Sequence, residues 1–171
     1  MEEKAIDNNE EVPLRQKYGV SGLGGWLIVI QIGLYLTILL LGKQVYDLFP
    51  VFTDPKVWNM LTSEGSIFYH PLWKPTLIFE IIFLCLFLIL GIVALIIMYC
   101  KKSGFPKLMI GLYIGNLIFQ IVDTILASQN EIMTQFYPGN LWGDVVRAGI
   151  VCAIWIPYLI KSDRVANTFV K

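Results

Sequence analysis

The amino-acid sequence predicts an all-α membrane protein with a bundle of four transmembrane helices, and three observations support this. Of the 171 residues, 56% are hydrophobic and only 15% are charged, whereas a soluble domain has about 45–50% apolar and about 25% charged residues. Four apolar runs reach the length of about 20 residues that a helix needs to cross the hydrocarbon core. Lysine and arginine also concentrate on one side of these runs, as they do in multi-pass proteins.

The four predicted spans end at charged residues or at turn residues. They cover about 22–42, 76–100, 108–127 and 141–160. The fourth is the least apolar, because Asp144 and Arg147 lie in its first third. The chain is thus divided into a polar leader (1–21), a membrane domain (22–161) and a short tail (162–171).

The distribution of cationic residues predicts that both termini are cytoplasmic. With the N-terminus inside, nine Lys and Arg residues lie on the inner side: Lys4, Arg15, Lys17, Lys101, Lys102, Lys107, Lys161, Arg164 and Lys171. Four lie on the outer side: Lys43, Lys56, Lys74 and Arg147. The leader is acidic and does not open with a positively charged segment, so we interpret the first span as an uncleaved anchor and not as a signal peptide.

The first outer segment, 44–75, is long enough to contain structure of its own. Asp54 followed by Pro55 is a strong helix start, with an aspartate cap and a proline in the first turn. We therefore expect a short amphipathic helix from Asp54 to Leu61 that lies at the outer membrane surface. The second outer segment, 128–140, has a similar aromatic and proline-containing composition.

Composition argues against several classes of function. The chain has equal numbers of acidic and basic residues, which disfavours a nucleic-acid-binding protein. A single histidine and three cysteines without a CxxC pair provide no ligand set for zinc, haem or an iron–sulfur cluster. We therefore expect no metal and no cofactor.

Charged residues inside the predicted spans are costly in a bilayer and should face the bundle interior; Glu80, Asp123 and Arg147 are the three clearest cases. At about 1.5 Å per residue, Glu80 and Asp123 lie about 6 Å from the outer ends of their spans and Arg147 about 9 Å. This common depth predicts that Arg147 pairs with Asp123 or Glu80. Asp144, one turn away from Arg147, is the alternative partner.

Uncharged polar residues extend this layer towards mid-membrane. Asn116, Gln120 and Asp123 follow an i, i+4, i+7 spacing, which places them on one helix face, and Gln31 and Tyr35 are one turn apart on the first span. Two interpretations remain open. The cluster is either an outward-facing cavity for a small ligand, an ion or a proton path, or a set of interhelical hydrogen bonds worth about 0.6 kcal/mol per pair.

The single histidine, His70, lies between Tyr69 and Pro71 near the predicted outer interface. We interpret it as part of an aromatic belt, although an imidazole can titrate between about pH 5 and 8. It is an outer-surface candidate and not an assigned catalytic residue.

Three motifs carry a family resemblance. They are Gly-Leu-Gly-Gly-Trp-Leu at 22–27, Tyr-His-Pro-Leu-Trp-Lys-Pro leading to Phe79 and Glu80, and a closing segment with Ile-Trp-Ile-Pro-Tyr at 154–158 followed by Ser162, Arg164, Val165, Thr168, Phe169 and Val170. In these motifs the chain resembles a bacterial inner-membrane family, domain of unknown function 2569. Asp163 and Ala166 make this tail less cationic than the family pattern. The resemblance implies a four-helix inner-membrane protein and brings no catalytic residue with it.

Three functions follow as expectations. The leading one is a non-enzymatic accessory or assembly partner in a membrane complex, in contact with the lipid bilayer and another membrane protein or a second copy of itself. Small residues spaced for close helix contact, Gly111 with Gly115 and Gly149 with Ala153, are compatible with such contacts. The first alternative is a small transporter or ion pathway that uses the polar cavity. A membrane enzyme is the least favoured, because no nucleophile or cofactor motif accompanies the acids.

Overall fold

The computed structural model describes residues 21–130, 140 and 142–170. Within these residues the fold is entirely helical. The helices are α1 (Trp26–Thr53), α2 (Pro55–Thr62), α3 (Trp73–Tyr99), α4 (Phe105–Ser128), α5 (Gly143–Lys161) and α6 (Asp163–Thr168). The predicted leader up to residue 20, and residues 131–139 of the second predicted outer segment, lie outside the described residues.

Four of these helices, α1, α3, α4 and α5, are long and apolar enough to cross a membrane, which confirms the predicted four-span architecture. These helices alternate in direction, so each end of the bundle collects the starts of two helices and the ends of the other two. We call the end that holds the start of α1 and the end of α5 the termini end. The opposite end, where α1 ends and α3 begins, is the α2 end.

Helix α1 extends well past the predicted span, which stopped before Lys43. It has 28 residues and contains Pro50 in its last turn. Lys43 and Asp47 form an ion pair at i, i+4 spacing, which is compatible with continued helix. The charges therefore interrupt the apolar run without ending the helix. At about 1.5 Å per residue, α1 is about 42 Å long, longer than the hydrocarbon core of about 30 Å.

The short helix expected after Asp54 is present as α2. The Asp54 carboxylate accepts a hydrogen bond of 2.8 Å from the backbone N–H of Lys56, and Pro55 occupies the first turn. Trp58 packs on Phe52 of α1, with ring centroids 5.4 Å apart. Helix α2 is thus attached to the end of α1; its position at a membrane surface remains a prediction.

The four long helices pack in succession, α1 on α3, α3 on α4 and α4 on α5. By contrast, α1 and α5 face each other across a cavity over part of their length. A connected cluster of buried apolar residues lies at the termini end; it includes Leu27, Met98, Phe105, Leu159, Val165 and Phe169. The bundle therefore combines this core with open space between α1 and α5.

A contact between the two ends of the chain closes the bundle at the termini end. The Thr168 hydroxyl accepts a 2.9 Å hydrogen bond from the Gly22 N–H and donates one of 2.6 Å to the Arg164 carbonyl. The Arg164 side chain lies against Gly24 and Gly25, where a Cβ would be 2.9 Å from Nη1 and 3.3 Å from Cζ, respectively. We call this contact, formed by 22–25 and α6, the terminal clasp.

Candidate functional site

The candidate site is a cavity of about 320 Å³ at the α2 end of the bundle. Each of the four long helices contributes one acidic residue to its wall: Asp47 from α1, Glu80 from α3, Asp123 from α4 and Asp144 from α5. Its volume lies at the lower end of the range of about 300–1,000 Å³ typical of small-molecule sites. We call it the acidic cavity.

The four carboxylates differ in their surroundings. The side chains of Asp47 and Asp144 are 52% and 55% exposed, and each forms an ion pair on its own helix, with Lys43 and Arg147. Glu80 and Asp123 are half-buried. Among the residues that the structure describes, no Lys, Arg or His nitrogen lies within 4.0 Å of either of these carboxylates. The deeper part of the cavity therefore holds two acidic groups that no cation from the described part of the chain balances.

The predicted ion pair of Arg147 with Asp123 or Glu80 is wrong. Arg147 instead forms an ion pair with Asp144, with its Nη1 3.1 Å from Asp144 Oδ1, and the Arg147 side chain is 79% exposed. The next residue, Ala148, is buried, and consecutive helical side chains point about 100° apart. The depth of Arg147 along α5 agrees with the acids, but the side chain is directed out of the bundle. The position of a residue in the sequence gives its depth along the helix, but only helix packing determines where its side chain points.

The predicted polar stripe of α4 lines a series of cavities. Asp123 and Gln120 belong to the acidic cavity. Gln120 and Asn116 line a second cavity of about 150 Å³, which we call the middle cavity. Asn116 also lines a third cavity of about 340 Å³, the inner cavity. The i, i+4, i+7 spacing therefore brings these three side chains to one continuous internal face.

Stacked phenylalanine rings line these cavities where one adjoins the next. The ring of Phe83 stacks on those of Phe119 and Phe87, with centroid distances of 4.1 Å and 4.3 Å, respectively. Phe119 lines the acidic and middle cavities, and Phe87 lines the middle and inner cavities. The three cavities thus share walls in sequence from the α2 end towards the middle of the bundle.

The inner cavity is bounded mainly by apolar side chains from all four long helices. Gly33 and Leu34 of α1 face Val151 and Trp155 of α5 across it. Its polar groups are uncharged and few, and none of its lining residues carries a formal charge. The cavities therefore change in character from acidic to apolar along their length.

Two residues of the predicted cluster lie elsewhere. Gln31 donates a hydrogen bond to the Tyr99 hydroxyl, and the Tyr35 and Tyr99 hydroxyl groups are 2.9 Å apart. This group joins α1 to α3, and neither Gln31 nor Tyr35 lines any of the three cavities. It fits the interpretation of interhelical hydrogen bonding.

His70 also lies outside the cavities. Its Nδ1 accepts a 3.2 Å hydrogen bond from the Leu72 N–H, immediately before α3 begins at Trp73. The side chain therefore organises the turn that leads into α3. No cavity that we describe includes it.

Sequence analysis missed Gln44 and Asp47, which line the acidic cavity, because it ended the first span before Lys43. The signal that would have identified them is the helical periodicity of the cavity face. Thr37, Leu41 and Gln44 all line the middle cavity and follow the three- and four-residue spacing of a single helix face. Extending that spacing by three residues past Gln44 reaches Asp47, and both of these residues line the acidic cavity.

A family model described as protein of unknown function (DUF2569) matches residues 20–170. The chain belongs to this family. The match spans the terminal clasp, the six helices of the described residues and the acidic cavity, and it confirms the resemblance seen in the sequence motifs. No curated protein and no solved structure matches the chain.

Among the described residues, no group of three or more His, Cys, Asp or Glu side chains is arranged to hold a metal ion. The acids of this DUF2569 member instead line a volume of about 320 Å³. Their arrangement can attract a positively charged group of small-molecule size and can neutralise it from several sides.

Proposed function

We propose that this protein is a small, non-enzymatic transporter of the bacterial inner membrane that takes up an organic cation into the acidic cavity. The observation that carries the proposal is the pair of half-buried acids, Glu80 and Asp123, which line one cavity without a neighbouring cation in the described part of the chain. The predicted orientation, with both termini cytoplasmic, directs the mouth of this cavity to the outer side.

Electrostatics supports a cationic ligand. An acidic side chain within the hydrocarbon region costs roughly 2.5–3.5 kcal/mol at the centre of a span and less near the interface. Two of them at one site also repel each other, so a ligand with a positive charge lowers the energy of both. At the mouth, Lys43 and Arg147 already balance Asp47 and Asp144, which leaves the uncompensated charge at the deeper position.

The asymmetry of Lys and Arg favours an orientation with both termini in the cytoplasm. The family resemblance implies a bacterial inner membrane. An enzyme is the less favoured alternative, because the acids are not accompanied by a motif for a nucleophile or a cofactor.

The proposal is tested by binding of tetramethylammonium to the purified full-length protein in nanodiscs of phosphatidylglycerol, with empty nanodiscs as the blank. We expect saturable binding that weakens about tenfold, equivalent to about 1.4 kcal/mol, in the double variant Glu80→Gln, Asp123→Asn. The matched control is Glu64→Gln, which removes one charge from an exposed residue outside the cavities. Equal affinity of the double variant and the control would overturn the proposal.

Transport is measured separately from binding. In proteoliposomes loaded with a buffer free of the probe, uptake of radiolabelled tetramethylammonium should exceed that of empty liposomes and fall in the double variant. Binding without uptake would overturn the transport role and leave a membrane protein that binds cations.

A second candidate is the accessory or assembly role, and the outer face of α5 favours it. Val146, Ile150 and Ile154 are more than half exposed on this helix, and a Cβ at Gly149 would meet no atom within 4 Å. Small residues beside exposed aliphatic ones allow a second helix to approach closely. A partner helix, from another protein or a second copy, would cover this face.

Cysteine crosslinking in native membranes tests this candidate. Ile150→Cys should form a crosslinked species of higher mass, while Ile118→Cys, exposed on α4, should not. Absence of any crosslink at Ile150 would argue against a partner at this face, and the mass of a crosslinked product would distinguish a homodimer from a complex with another protein.

A further inference from the structure

We infer that the cation is amphipathic: its charged group lies in the acidic cavity and its apolar group extends into the inner cavity. This inference rests on the proposed function and specifies the class of ligand. The structural basis is the inner cavity, about 340 Å³ in volume, and its connection to the acidic cavity through shared walls.

The connection follows from the lining residues. Gln44, Leu84, Phe119 and Gln120 line both the acidic and the middle cavity. Thr37, Leu41, Phe87 and Asn116 line both the middle and the inner cavity. A ligand bound at the acids therefore lies at one end of a path that continues along α1 and α4 into the bundle.

The lining of this path changes in the order that an amphipathic cation requires. Carboxylates surround its first part, and the stacked rings of Phe83, Phe87 and Phe119 surround its middle part. Aromatic faces attract quaternary ammonium groups as well as apolar ones. The inner cavity, which has no charged lining residue, favours an apolar group because each methylene removed from water contributes to affinity.

A small hydrophilic ion would use only the first of the three cavities. It would gain nothing from the inner cavity, where burial of a charge is unfavourable. Charge complementarity at one end and apolar lining at the other therefore select a free organic cation with an attached aromatic or aliphatic group. The exposed acids at the mouth, Asp47 and Asp144, indicate entry from the water at the α2 end.

Gly33 provides a specific way to block the apolar part of this site. It lines the inner cavity, and a Cβ at this position would meet no atom within 4 Å. A leucine side chain can therefore occupy cavity space without a collision at its Cβ. Gly42 is the matched control, because it lies on the same helix, is equally open and lines none of the three cavities.

The experiment compares three probes in the same phosphatidylglycerol nanodiscs, whose headgroup carries no ammonium group to compete. They are 4-phenylbutyl-trimethylammonium, tetramethylammonium and the neutral 4-phenylbutanol. We expect the amphipathic cation to bind the unmodified protein at least about tenfold more tightly than either of the others, about 1.4 kcal/mol. Gly33→Leu should remove most of this advantage and leave tetramethylammonium binding unchanged, whereas Gly42→Leu should retain it.

The outcomes separate this inference from the proposed function. If both cations bind equally well, or if Gly33→Leu has no effect on the difference, the amphipathic ligand is wrong while cation binding at Glu80 and Asp123 stands. If 4-phenylbutanol binds as tightly as the amphipathic cation, and the Glu80→Gln, Asp123→Asn variant binds both equally, the site is apolar only and both proposals fail.

Discussion

Replacing Arg147 by alanine tests whether this charge stabilises the bundle interior or only the start of α5. Its partner is Asp144, three residues earlier on the same helix, and both side chains are more than half exposed. Exposed pairs contribute about 0.2–1 kcal/mol, and helical i, i+3 pairs about 0.2–0.5 kcal/mol. Breaking a buried pair would cost about 3–5 kcal/mol. We therefore expect Arg147→Ala to lower the free energy of unfolding by about 0.5 kcal/mol or less.

The measurement is reversible unfolding of the purified protein, followed by circular dichroism as a denaturing detergent is added to mixed micelles. A double-mutant cycle between Arg147→Ala and Asp144→Asn should give a coupling energy of about 0.5 kcal/mol at most. A cycle between Arg147→Ala and Asp123→Asn should be additive, because these side chains are not paired. A loss above about 3 kcal/mol, or clear coupling to Asp123, would show that Arg147 points into the bundle.

Three further predictions concern the terminal clasp, the core and the topology. Gly25→Ala should destabilise the protein by about 1–2 kcal/mol, because φ is +63° there and side chains disfavour that conformation. Gly42→Ala should instead stabilise the protein by about 0.5–1 kcal/mol in the same unfolding assay, and equal effects of the two substitutions would contradict the left-handed backbone conformation at Gly25 in the terminal clasp. Phe169→Ala should cost about 3–5 kcal/mol, since the ring is 5% exposed; a change below about 1 kcal/mol would contradict its place in the core. A membrane-impermeant thiol reagent added outside intact cells should label Ser66→Cys and not Ser103→Cys, and the opposite pattern would invert the topology.

The acidic cavity was only partly predictable from sequence. The cost of charges in lipid identified Glu80 and Asp123, and helical spacing identified Gln120 and Asn116 as their neighbours on one face. Asp47 was missed because the predicted first span ended before Lys43, although the helix continues beyond this residue. Arg147, Gln31 and Tyr35 were expected in the same cluster and lie outside it, because depth along a helix does not specify which neighbour a side chain faces.

The glycine motif at 22–27 and the closing motif show a similar division. Their residue types were visible in the sequence, but nothing local indicates that Arg164 packs against Gly24 and Gly25 or that Thr168 binds Gly22. The contact of Gly22 with Thr168 joins residues 146 positions apart. These contacts exist because α1 begins and α5 ends at the same side of the bundle.

The sequence by itself determined the all-helical class, the four long helices and the capped start of α2, because these depend on hydropathy over about 20 residues and on local capping. It also determined which polar side chains share a face of α4, because that depends only on helical period. The tertiary structure alone decided that four acids from four helices surround one cavity, that Arg147 points away from it, and that an apolar cavity adjoins it. The physical reason is that each helix is free to rotate about its own axis until side-chain packing with its neighbours sets the direction of every residue.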